Sequence, residues 1–82
     1  MPHAYTLLLM NIKDKVGQRV RELRHVLGLS QEALANKAGV DRTYMTDVEN
    51  GRRNISVELL EKIIGALEVS FEEFFNGENF KA

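Results

Sequence analysis

A chain of 82 residues makes one small domain with a limited core. It has no cysteine, which excludes disulfides and thiolate metal sites. Its two histidines, His3 and His25, match no ligand spacing and read as solvated or partly packed side chains. Net charge is −1, yet residues 1–54 hold nine Lys/Arg against six Asp/Glu (+3) and residues 55–82 hold two against six (−4), a division that suits a molecule with one side facing nucleic acid.

Residues 1–11 form an N-terminal extension in which Tyr5, Leu8, Leu9 and Ile12 approximate a helical stripe. Three readings stand: the segment prolongs the first helix and packs on the domain, it reaches a partner subunit as an arm, or it is disordered. Leu7-Leu8-Leu9-Met10 lacks the basic flank and small-residue cleavage site of a signal peptide. No apolar run approaches the ~18 residues of a membrane span. A cytoplasmic protein is expected.

From Ile12 the pattern is firm. Ile12, Val16, Val20, Leu23 and Leu27 line one stripe of a helix that Gly28 ends. Gly17, inside it, costs about 1 kcal/mol against alanine, which signals close packing or simple tolerance. A repeated device then sets the later helix starts. A hydrophobic residue precedes each capping residue and another sits at the fourth helical position: Leu29/Ser30/Leu34, Val40/Asp41/Met45, Ile55/Ser56/Leu60 and Val69/Ser70/Phe74. These staples predict helices starting at residues 31, 42, 57 and 71. Ser70 and Glu73 add a capping box.

The chain's second helix and its third, ending at Gly39 and at Asn50-Gly51, are separated by a turn too short for anything but a sharp crossing, the geometry of a helix-turn-helix. The third presents Arg42, Thr43, Thr46, Asp47 and Asn50 outward, and Arg52 and Arg53 follow it. Such a surface suits reading base edges and gripping phosphates. The fourth helix carries Leu59, Leu60, Ile63, Ile64 and Leu67, more apolar positions than one narrow stripe uses. The last is short but holds Phe71, Phe74 and Phe75, and Gly77 onward reads as a frayed tail. With no strand signal and no repeat, the expected fold is all-α: a compact bundle of five helices, with the domain at 12–76 and a tail at 77–82.

The run Gly17–Phe75 resembles the helix-turn-helix family of phage Cro and repressor domains. The resemblance rests on Leu29-Ser30-Gln31-Glu32, Leu34-Ala35, Ala38-Gly39-Val40, Val48-Glu49-Asn50-Gly51 and the leucine-rich fourth helix. Within that family, Asp41-Arg42-Thr43-Tyr44 with Arg52-Arg53-Asn54 looks most like the controller proteins of bacterial restriction–modification systems. Those are small dimeric regulators that bind operators upstream of their own gene and the endonuclease gene.

The resemblance implies a set of roles. Gln31, at a helix N-terminus, would hold a phosphate, against the plainer reading of a solvated helix-start residue. Arg42 would bond guanine O6 and N7, or else pair with Asp41 or Asp47 on the surface, and Thr43 would touch a phosphate or a thymine methyl. Tyr44 would contact the backbone or a base, or be half-buried in the core. Thr46 and Asn50 face outward, Arg53 matches the controller arginine that reads bases, and Arg52 and Asn54 flank it. Asp47 departs from this pattern, since an acid repels phosphates; it can accept from cytosine N4 or orient Arg42. Arg24 and Glu49 match a structural ion pair that the family places between its first helix and the end of the recognition helix, where the helix dipole disfavours an anion.

The expected function is a sequence-specific transcriptional regulator, binding a pseudo-palindromic double-stranded operator as a homodimer. An expected dimer surface lies on Ile64, Leu67, Phe71, Phe74 and Phe75, where a bundle of this size has apolar surface to spare. The alternative is an antitoxin-type DNA-binding protein whose Phe cluster holds a toxin. No nucleophile–base pair, phosphate-cradling glycine loop or metal set appears, so neither an enzyme, a cofactor nor a small-molecule ligand is expected.

Overall fold

The computed structural model describes residues 10–81, so the expectations placed on His3, Tyr5, Leu8 and Leu9 lie outside the described residues. Among the described residues five α-helices follow one another: α1 (Ile12–Leu27), α2 (Gln31–Ala38), α3 (Arg42–Glu49), α4 (Val57–Ala66) and α5 (Phe71–Phe74). All four stapled starts fall where the caps predict. Ser30 Oγ accepts from the Ala33 amide, Asp41 Oδ1 from Thr43 and Tyr44, Ser56 Oγ from Leu59, and Ser70 Oγ from Glu73. A fifth cap escaped the sequence reading: Asn11 Oδ1 accepts from the Asp14 amide and starts α1. Gly28 and Gly39 end α1 and α2 in the left-handed conformation.

The core is drawn from every helix. Val16, Val20 and Leu23 of α1 meet Leu34, Ala35 and Ala38 of α2, Met45 and Val48 of α3, Ile63 and Ile64 of α4, then Leu67 and Phe74. Each large side chain fully removed from water contributes about 1.5–3 kcal/mol. The stripe on α1 begins one turn later than expected, because Ile12 is 61% exposed. Gly17 proves to be a site of close packing. A Cβ there would overlap the Val48 carbonyl oxygen and lie 2.8 Å from that of Glu49, so glycine lets the end of α3 rest directly on α1.

Two expectations are corrected. Ile64, Leu67 and Phe74 do not form a dimer surface, for all three are buried inside the monomer. Phe74 fills the staple of α5 and continues into the core, while Phe71 and Phe75 stay exposed at 46% and 39%. The frayed tail is also corrected over residues 78–80, which form a 3-10 turn (Glu78–Phe80). Phe80 packs on Phe75 with ring centroids 5.0 Å apart, and Asn79 Nδ2 donates to the Lys15 carbonyl at 2.9 Å.

Arg19 fastens this end of the chain. It is buried on α1, donating from Nε to the Phe74 carbonyl at 2.7 Å and from Nη2 to the Glu73 carbonyl at 2.6 Å. The Glu73 carbonyl also accepts from the Asn76 amide at 3.2 Å, so Arg19 reinforces the last turn of the four-residue helix α5. The position is legible in retrospect: Arg19 lies three residues after Val16 and four before Leu23, on the inward face.

Candidate nucleic-acid interface

The short turn after Gly39 sets α3 across α2, so the first turn of α3 and the loop after it share one surface. Arg42, Thr43, Asn50, Arg52, Arg53 and Asn54 are exposed there, with Tyr44, Thr46 and Asp47 half-buried between them. Met45, Val48 and Glu49 hold the opposite face of α3 against the core. The division is a helical one: residues 43, 46, 47 and 50 recur every three or four positions and look outward together.

Beneath this surface lies a polar network centred on Glu49. Its carboxylate is buried (3% exposed) and accepts from Arg24 Nε at 2.6 Å and Arg24 Nη2 at 3.0 Å, a bidentate grip between α1 and α3. Arg24 reaches further, from Nη1 to the Leu29 carbonyl at 2.9 Å. Gln31 Nε2 donates to Glu49 Oε1 at 2.9 Å, and Thr46 Oγ1 donates to Gln31 Oε1 at the same distance. Arg21 approaches Glu49 at 3.4 Å and donates to Asn50 Oδ1 at 3.0 Å. Burial pushes the Glu49 carboxyl up, but the bonds from Arg24 and Gln31 and the charge of Arg24 outweigh it, so it titrates below the usual glutamate range.

This network places several of the expected site residues. The amide of Gln31 is not free in solvent. Both its ends are engaged inside the protein, which orients it at the start of α2 beside the free backbone amides of that turn. Thr46 is spent in the same way, its one hydroxyl proton shared between Gln31 Oε1 and the Arg42 carbonyl. Asn50 is steadied by Arg21, a residue that sequence reasoning passed over because nothing local to α1 marks it. Arg42 joins no ion pair among the described residues, so neither Asp41 nor Asp47 restrains it. Asp47 turns instead to the loop: Arg53 Nε and Nη2 both lie 3.2 Å from its Oδ2, and Arg52 Nη1 lies 3.9 Å from its Oδ1. The Arg53 guanidinium also sits 4.7 Å over the Tyr44 ring, a cation–π contact. His25 is exposed, and the described residues hold no cluster of three His, Cys, Asp or Glu suited to a metal ion.

Beside Arg53 and Asn54 opens an apolar groove of about 210 Å³, lined by Ile12, Val16, Ile55, Leu60 and Phe75. Among the described residues Phe71 and Val57 are exposed large apolar side chains as well. No helix among the described residues is long and apolar enough to cross a membrane.

Residues 20–74 match a family model described as helix-turn-helix. The control protein C.MunI of a Mycoplasma species is 40% identical over 67 residues, 80% of this chain and 90% of its own. Among solved structures, the restriction–modification controller protein C.AhdI of Aeromonas hydrophila is 48% identical with a TM-score of 0.73, covering 77% of this chain and 91% of that one. The controller protein C.Esp1396I, solved as a tetramer in complex with its natural 35-base-pair operator, is 37% identical with a TM-score of 0.77, covering 82% of this chain and 88% of that one.

Proposed function

This chain belongs to the helix-turn-helix family of DNA-binding regulators, and from that premise we propose that it acts as a controller-type transcriptional regulator of a restriction–modification system. It binds a pseudo-palindromic double-stranded operator as a homodimer in the bacterial cytoplasm and regulates its own and linked genes. The observation that carries this reading is the outward face of α3: Arg42 at the entering end, in no ion pair among the described residues, Thr43 and Asn50 along the helix, and two arginines directly after it. A helix presented N-terminus first suits the major groove, where arginine reads guanine O6 and N7. Placement supports the following roles. Arg42 and Arg53 read bases, while Thr43, Tyr44, Arg52 and Asn54 hold the backbone. Gln31, fixed by Glu49 and Thr46, turns the start of α2 toward a phosphate.

One subunit offers a small recognition surface, so affinity comes from two acting together. Phe71 and Phe75 supply the apolar part of the dimer contact, with the groove beside them. Two recognition helices then fall about 34 Å apart, in successive major grooves on one DNA face. Footprinting upstream of the protein's own gene should reveal paired half-sites one helical turn apart. Protection of a single asymmetric site by a monomer would refute the reading. Phe75→Glu should give a folded monomer by sedimentation, with weak operator binding. A variant that stays dimeric with undiminished binding places the contact elsewhere.

A further inference from the structure

An acid at position 47 is costly twice over. It sits in the last turn of α3, where the helix dipole disfavours an anion, and it faces the surface that would meet phosphates. The side chain's partners explain its presence. Asp47 Oδ2 takes Arg53 by the Nε and Nη2 side of the guanidinium, both at 3.2 Å, while Oδ1 lies 3.9 Å from Arg52 Nη1. The Arg52 amide donates to the Asp47 carbonyl at 2.9 Å, so the loop's backbone is tied to the same residue. The Tyr44 ring, 4.7 Å from the guanidinium carbon, restrains the group from a second direction.

A guanidinium has five N–H donors in a rigid planar fork. Held by its side, Arg53 keeps the end of the fork, Nη1 and the outer N–H of Nη2, free for a bidentate contact. Its side chain is 46% exposed. That end matches the spacing of guanine O6 and N7. A long, otherwise mobile arginine is thereby presented in one orientation before DNA arrives, and less freedom is lost on binding. We propose that Asp47 is a specificity-determining positioning residue. It orients Arg53, with Tyr44, for end-on recognition of one guanine in each half-site, and its negative charge lowers the affinity for DNA that lacks that guanine. The proposal rests on the regulator reading above.

The test is selection of bound sequences from a randomised duplex library by the full chain, repeated with Asp47→Asn, Arg53→Ala and the double variant. Asparagine keeps the shape and removes the charge, and taking an anion from the last turn of α3 does not weaken the helix. Wild type should enrich one guanine per half-site that Arg53→Ala erases. Asp47→Asn should weaken the preference at that same position by roughly tenfold, within the range of one good bidentate pair. It should leave other positions unchanged and bind random duplex as well as wild type or better. In the Arg53→Ala background Asp47→Asn should have no effect on the preference. Tighter binding to enriched and random duplexes by equal factors would show only a repulsive acid and overturn the proposal, as would an unaltered preference or an equal loss at every position. Wild type that enriches no sequence would instead sink the regulator reading itself, and this proposal with it.

Discussion

Replacing Glu49 by alanine removes the centre of the buried network and leaves the Arg24 guanidinium, 8% exposed, without its carboxylate. Breaking a buried pair from one side costs about 3–5 kcal/mol, because the remaining charge is desolvated and unpaired. An 82-residue domain has roughly 4–12 kcal/mol of total stability, so this single change removes a large part of it. At about 4–8 °C per kcal/mol for a domain of this size, the Tm should fall by at least about 12 °C. Urea unfolding followed by far-ultraviolet circular dichroism measures the loss directly. Arg24→Ala should cost comparably, and the double variant less than the sum, since each single change strands the other group. The pair also sets a pH dependence. The carboxyl titrates below its ordinary range in the fold, so its contribution is fully present above the unfolded value and is lost as pH falls through the lowered folded one. Glu49→Ala should therefore lose much of the wild type's stability decline below about pH 4. A loss under about 1 kcal/mol, the value of an exposed pair, would refute the reasoning and mean that Arg24 finds solvent when its partner is gone.

Gly17→Ala should destabilise by about 1–3 kcal/mol despite alanine's better helix propensity, because the new methyl meets α3 backbone that cannot yield; a higher Tm would show that α1 and α3 separate freely. Glu68 follows α4 with φ 63°, a left-handed conformation unfavourable for its side chain. Glu68→Gly should raise stability by up to about 1 kcal/mol in thermal unfolding, since the exposed pair it gives up with Lys37 is worth little; a clear drop would assign that pair real weight. Arg42→Ala should reduce operator binding more than binding to random duplex, while Gln31→Ala weakens both alike and leaves the salt dependence nearly unchanged, since a neutral amide releases no counterion; equal losses on both DNAs for both variants would remove the base-reading role of Arg42.

The helix starts were legible because capping and stapling are local, each needing only six consecutive residues, and Ser30, Asp41, Ser56 and Ser70 all carry the signal. The turn between α2 and α3 was legible for the same reason. Partition of the apolar residues was not. Ile64, Leu67 and Phe74 look alike in the sequence to Phe71 and Phe75, and only the packing of α5 on α4 decides which three are enclosed. Phe80 escaped because a 3-10 turn has no stripe to display and is stabilised by aromatic contact with residues five and six positions earlier. At the candidate interface the residue types were legible while their partners were not. Gln31 and Thr46 are joined across 15 positions and Arg21 and Asn50 across 29, distances at which a single sequence carries no pairing signal. Asp47 stood out as an anomaly, but its orientation toward Arg53 rather than Arg42 depends on the reversal of the chain at Gly51, where φ is 74°.

The grip of Arg19 on the last carbonyls of α5 bears on how fast two subunits can assemble. A helix of four residues does not persist in water by itself, and a surface built on it would ordinarily have to form during the encounter. Here the final turn is fixed to the first helix of its own subunit, so Phe75 stands in place whether or not a second copy is near. Association in the proposed dimer then needs no folding step, and its pace follows collision and orientation alone. A subunit therefore carries its contact surface already formed when it meets a second copy.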